Sequence, residues 1–140
     1  MDAQVKTQKQ KTRDIGIVVD VSASMSNEIS SLVDGLNLFI KEQKVHNSEC
    51  FVSCLKFNSE AAYVFQDQPI NCVTLFAKSD FVTNGGTAVR DAIFEMGTYL
   101  KINQKHELPP IMIVLTDGND NCSKTSICEL SSILNINKNQ

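Results

Sequence analysis

The chain has 140 residues, 42% of them hydrophobic and 21% charged, with a net charge of −3. That is one domain's length with an ordinary globular composition, and the acidic balance disfavours non-specific nucleic-acid binding. No apolar run approaches the ~18 residues of a membrane span, Met1 to Arg13 carries no hydrophobic signal region, and five cysteines form no complete disulfide set, so a cytoplasmic, intracellular setting is expected.

Residues 1–13 are polar, with Lys6, Lys9, Lys11 and Arg13 against Asp2, and are expected to form a flexible tail ahead of a single domain at 14–140. The run from Ile15 to Val19 is apolar and rich in β-branched residues, as in a strand covered on both faces. It ends at Asp20 and is followed by hydroxyls at Ser22 and Ser24. From Asn27 to Gln43, Ile29, Leu32, Val33, Leu36, Phe39 and Ile40 recur at steps of three and four, which predicts an amphipathic helix capped by Ser26 or Asn27. Gly35 inside it costs about 1 kcal/mol against alanine, and close packing on the sheet is one reason to carry it.

Cys50–Phe57 and Ala61–Phe65 read as strands joined by the turn Asn58-Ser59-Glu60, too short a link for anything but an antiparallel hairpin. Gln66–Pro69 is expected to break the chain, and Ile70–Phe76 to be a short extended piece. Asn84-Gly85-Gly86-Thr87 opens a helix from Ala88 to about Ile102, with Asp91 interacting with the N-terminus of that helix. Pro109-Pro110 precedes a second buried strand, Ile111–Leu115, which ends in Thr116-Asp117-Gly118. A final helix is predicted over Thr125–Leu134.

Two buried strands thus each end in a carboxylate, Asp20 and Asp117, and three hydroxyls, Ser22, Ser24 and Thr87, sit in loops at the same end of a parallel sheet. Ligands in open α/β sheets bind beyond the carboxyl ends of the strands. An all-oxygen set suits a hard cation, Mg²⁺ first, which takes about six oxygens at roughly 2.1 Å; Mn²⁺ and Ca²⁺ are the alternatives.

The D-x-S-x-S segment, the Gly-Gly-Thr loop and T-D-G, each in its expected flank, resemble the von Willebrand factor A domain and its metal-ion-dependent adhesion site. The resemblance runs from Asp14 to about Leu134. It implies an α/β, Rossmann-like fold: a mostly parallel sheet in the order 3-2-1-4-5-6, with one antiparallel edge strand and helices on both faces. It implies a metal site at Asp20, Ser22, Ser24, Thr87 and Asp117. In the family the hydroxyls ligate directly, the aspartates often act through water, and a partner's acidic residue fills the open position. The function implied is a divalent-metal-dependent protein–protein interaction module, not an enzyme. The pattern departs from the family at its end, where the last two strands are missing. Ile111–Leu115 is then expected to be an exposed edge, open to self-association or to cover by a partner.

Two other functions compete. One is Mg²⁺-assisted phosphoryl transfer with Asp20 as nucleophile, which lacks a second aspartate at Ser22 and an acid or base near the motifs. The other is an assembly domain with a vestigial site. A nucleotide site is disfavoured because no Walker lysine follows Gly85-Gly86. Cys50 and Cys54 stand about 13 Å apart on one strand and read as core residues. Cys122 and Cys128 read as thiols, with a loop disulfide or a zinc pair as alternatives. His46 and His106 are expected at the surface.

Overall fold

The computed structural model describes residues 12–46, 49–103, 106–117 and 122–125. Its elements are β1 (Arg13–Asp20), a 3₁₀ turn at Ala23–Met25, α1 (Ile29–His46), β2 (Cys50–Phe57), β3 (Ala61–Pro69), 3₁₀ turns at Ile70–Cys72 and Lys78–Asp80, α2 (Val89–Ile102) and β4 (Ile111–Leu115). The sheet runs β3-β2-β1-β4, with β1 parallel to both neighbours and β3 antiparallel to β2. Among the described residues β4 is therefore an edge, and the first four positions of the expected strand order are met.

The apolar run of β1 is explained by its central place. Its odd positions, Ile15, Ile17 and Val19, join Ile29, Val33, Leu36 and Ile40 of α1 in one cluster, while Val18 joins Ala92, Met96 and Leu100 of α2 in another. Side chains alternate across a strand, so the two helices cover opposite faces of the sheet. Each large apolar side chain fully buried this way contributes about 1.5–3 kcal/mol. Gly16 faces α2, where a Cβ would come within 2.7 Å of Met96 Sδ, so the missing side chain admits Met96 to the sheet. The even positions of β1 begin and end in carboxylates, Asp14 and Asp20, both buried.

β2, β4 and α2 match their sequence signals closely. α1 begins two residues later than expected because Ala23–Met25 first turns as 3₁₀. Three expectations need correction. β3 does not stop at Phe65 but continues to Pro69. It crosses the presumed break by a bulge: Val52 pairs with Gln68 and Cys54 with Phe65, leaving Ser53 opposite both Gln66 and Asp67. Second, Ile70–Phe76 forms no strand. A 3₁₀ turn covers Ile70–Cys72, and Ile70, Val73, Phe76 and Phe81 anchor the stretch in the α1-side core. Asn37 of α1 pins it, donating Nδ2–H to the Phe76 carbonyl (3.0 Å) and accepting the Phe76 N–H (2.7 Å). Third, Gly35 is exposed with nothing within 4 Å of a built Cβ, so it answers no close packing.

The tail at 1–11, the loop 118–121 and all but the first residue of the predicted helix Thr125–Leu134 lie outside the described residues. No described helix is long and apolar enough to cross a membrane.

Candidate metal-binding site at the carboxyl ends of β1 and β4

Asp20 is the last residue of β1 and has no exposed surface. Its Oδ1 accepts the Ser22 N–H at 2.8 Å, which folds the chain back over the strand end. Its Oδ2 accepts the hydroxyl of Thr116, just beyond β4, at 2.6 Å. Ser22 is buried and Ser24 exposed; their hydroxyl oxygens lie 3.2 Å apart. Ser24 Oγ donates to Asp117 Oδ1 at 3.1 Å. Parallel pairing of β1 and β4, with Val19 opposite Leu115, brings these two loops to the same edge.

Thr87 reaches this edge through its loop. Asn84 N–H donates to the Val21 carbonyl (2.9 Å), and Ala23 N–H donates to the Gly85 carbonyl (3.1 Å), so the Gly-Gly loop is stitched to the segment carrying the two serines. Thr87 itself is buried. Gly85 takes φ +78, and a Cβ there would meet Asn58 at 3.4 Å. The turn after β2, read from sequence only as a turn, is the support of this loop. Asn58 Nδ2 donates to Asn84 Oδ1 (2.7 Å), the Asn58 carbonyl accepts the Ala88 N–H (2.9 Å), and Ser59 Oγ accepts the Gly86 N–H (3.2 Å).

Of the five sequence-designated residues, Asp20, Ser22, Ser24 and Asp117 are thus joined by hydrogen bonds and their shared edge, and Thr87 comes in on a loop bonded to the same segment. Thr116, quoted in the sequence only as part of T-D-G, orients Asp20, and the two strand ends meet because β4 docks on β1. Asp91 stands in the first turn of α2, as expected, and has a further role. Its carboxylate accepts the N–H groups of Lys124 (2.9 Å to Oδ1) and Thr125 (2.7 Å), and its own N–H donates to Ser123 Oγ, so it holds the segment after β4 against the start of α2.

The donor set can be tested against a cation. Adjacent ligands of an octahedral ion with bonds near 2.1 Å are about 3.0 Å apart. The Ser22–Ser24 and Ser24–Asp117 oxygen pairs, at 3.2 and 3.1 Å, have that spacing. All the oxygens are hard donors, and the buried Asp20 supplies negative charge behind them. The residues present fit a small divalent ion.

A sequence profile of the von Willebrand factor type A domain matches residues 15–119. The chain belongs to that family. Solved structures agree on the fold of this vWA domain. It is similar to the PilB minor pilin from Streptococcus sanguinis, at 20% identity and TM-score 0.69, over 79% of this chain and 31% of that one. It is similar to the pilus adhesin SpaC from Lactobacillus rhamnosus GG, at 23% identity and TM-score 0.68, over 81% of this chain and 15% of that one. It is similar to proximal thread matrix protein 1 from the mussel byssus, a structure with a zinc-occupied MIDAS motif, at 21% identity and TM-score 0.65, over 89% of this chain and 33% of that one. The vWA domain therefore spans a third or less of the length of these structures. No curated protein matches it by sequence.

Proposed function

We propose that this vWA domain is a protein-interaction module that grips its partner through a divalent cation, Mg²⁺ first among the candidates. Ser22, Ser24 and Thr87 would hold the ion through their hydroxyls, with Asp20 and Asp117 completing the charge. The ion would supply Lewis acidity toward an aspartate or glutamate carboxylate of the partner. The chain's own residues set that affinity. Thr116 and the Ser22 N–H hold Asp20 in one rotamer behind the hydroxyls. The Asn58–Asn84 bond and the bonds to Val21 and Ala23 hold the threonine loop in place.

The observation that carries this reading is the run of oxygen contacts Ser22–Ser24–Asp117 at ligand-edge spacing, in which Ser24 and Asp117 are 93 positions apart in sequence. The fold likeness to pilus and matrix proteins is consistent with adhesion but supplies no partner. The zinc in the MIDAS motif of the mussel protein supports a choice among divalent ions wider than Mg²⁺ alone. Phosphoryl transfer from Asp20 is disfavoured, because a nucleophile must reach its substrate and this carboxylate is fully buried with both oxygens hydrogen-bonded.

Capture of partners on the immobilised domain, with Mg²⁺ or with chelator, tests the reading against the Ser24→Ala variant. Partners released by chelator and by Ser24→Ala support it. Partners retained equally in all conditions remove the cation from the mechanism. Absence of Mg²⁺ or Mn²⁺ binding by calorimetry, in a folded sample, would mark the site as vestigial.

A further inference from the structure

The opposite end of the sheet carries a second set of ligand-type side chains. Asp14 is the second residue of β1, Asp67 lies on β3, and His106 lies between α2 and β4. One ligand atom from each lies within 4.8 Å of the other two. His106 Nε2 is 3.2 Å from Asp14 Oδ1, and the two side chains are only 14% and 12% exposed. This contradicts the surface role expected for His106.

The imidazole is fixed on every side. Its ring stacks on Phe51, with centroids 4.6 Å apart and planes 7° from parallel. Its Nδ1 is 2.8 Å from Thr12 Oγ1. The same segment is tied down by Leu108 N–H to the Thr12 carbonyl (3.1 Å) and Thr12 N–H to Glu107 Oε2 (3.1 Å). In the tautomer whose Nδ1–H donates to Thr12, Nε2 turns a lone pair toward Asp14 and can ligate an ion; in the other, Nε2–H donates to Asp14 as a plain hydrogen bond. Ligating histidines are held in this manner, with the remote nitrogen hydrogen-bonded so that tautomer and ring plane are set.

Asp67 favours the metal. The β3 bulge sets it out of the regular register with β2, at φ +51, with its N–H donating to Ser53 Oγ at 2.8 Å. A bulge redirects a side chain that the regular pleat would point elsewhere. Here it brings a second carboxylate within 4.8 Å of both the ring nitrogen and the Asp14 carboxylate. Two carboxylates balance one divalent ion.

We propose that Asp14, Asp67 and His106 form a second metal site, for a divalent transition ion of the zinc class, independent of the hydroxyl-rich edge. A mixed imidazole and carboxylate set suits zinc, whereas Mg²⁺ and Ca²⁺ favour oxygen alone. Adjacent ligands of a tetrahedral zinc ion lie about 3.4 Å apart, close to the His106–Asp14 separation, and the exposed Asp67 closes the rest by a rotamer change. The ion would fasten β1, the β3 bulge and the α2–β4 connection to one another.

The chain has two histidines, which makes ring-nitrogen NMR of the whole chain decisive, with His46→Gln assigning the signals. Zn²⁺ is titrated into the Ser24→Ala variant, which weakens the other site. One equivalent is expected to shift the His106 Nε2 resonance and leave His46 unmoved. Asp67→Asn, at an exposed position, is expected to weaken this response at least tenfold with the fold intact. A His106 resonance that Zn²⁺ leaves in place, including the case of zinc held only by cysteines, overturns the proposal. Equal affinity in Asp67→Asn overturns it as well and leaves only a His106–Asp14 ion pair.

Discussion

Thr116 donates its hydroxyl to Asp20 across the seam between β4 and β1, at 2.6 Å. The bond is short, as expected for a hydroxyl on a carboxylate, and it reaches an oxygen that water does not. Thr116→Val is expected to leave that oxygen without its donor, costing about 1–3 kcal/mol of stability. It should also lower Mg²⁺ affinity by about tenfold to a hundredfold, as loss of an orienting partner does at other metal sites. Thr116→Ser should keep most of both. Denaturant melts and calorimetry on the three proteins check this.

Ser24 separates binding from folding. It is exposed and sits between Ser22 and Asp117. Ser24→Ala is expected to weaken Mg²⁺ binding at least tenfold while changing stability by no more than about 0.5 kcal/mol, the usual range for exposed positions. A loss of stability that accounts for the loss of binding would contradict this.

Gly85 holds the threonine loop in a left-handed conformation. Gly85→Ala places a Cβ at φ +78 and 3.4 Å from Asn58. The strain costs about 1–2 kcal/mol. Because the Gly85 carbonyl accepts from Ala23, Mg²⁺ affinity should fall along with the melting temperature. Binding unaltered beside a lowered melting temperature would show the loop to be a structural connection alone.

The cysteines give a pH signature. Burial, reinforced by the Asp80 charge, pushes the Cys54 thiol from 9.0 up to about 12, and burial also raises Cys50. Both are in the α1-side core. An unfolded Cys54 loses its proton near 9 while the folded one keeps it to about 12. The folded form therefore binds more protons in between, and stability should fall as pH rises across that window, being fully present below 9. Thiol reagents at pH 8 should label exposed Cys72 at once and reach Cys50 and Cys54 only with denaturant. Mass spectrometry of the labelled peptides reads both groups.

What the sequence disclosed, and what it withheld, divides by range of interaction. The apolar runs of β1, β2 and β4 and the three-four spacing of α1 and α2 are local patterns set by burial, and they were read to within a few residues. That Asp20, Ser22, Ser24, Thr87 and Asp117 gather at one edge was legible because the loops at strand ends carry them in a recognisable order. The bond of Thr116 to Asp20 and the support given by Asn58 were not, since a hydroxyl or an amide acquires a role only from what lies across the sheet. β3 was cut short because Gln66, Asp67 and Pro69 are poor strand residues, and only pairing with β2 carries the chain through them. His106 read as a surface residue because nothing near it in sequence reveals that Phe51 and Asp14 will enclose it.

β1 is flanked by partners from distant parts of the chain, β2 on one side and β4 on the other. A growing polypeptide that has made only β1, β2 and β3 has Asp20 and its serines in hand but neither Thr116 nor Asp117. The edge that gathers Asp20, Ser22, Ser24 and Asp117 therefore cannot form before β4 has emerged and inserted beside β1. Under the proposed cation mechanism, acquisition of metal during synthesis would report the docking of β4 on β1, and a chain stalled before that point would be unable to engage a partner prematurely.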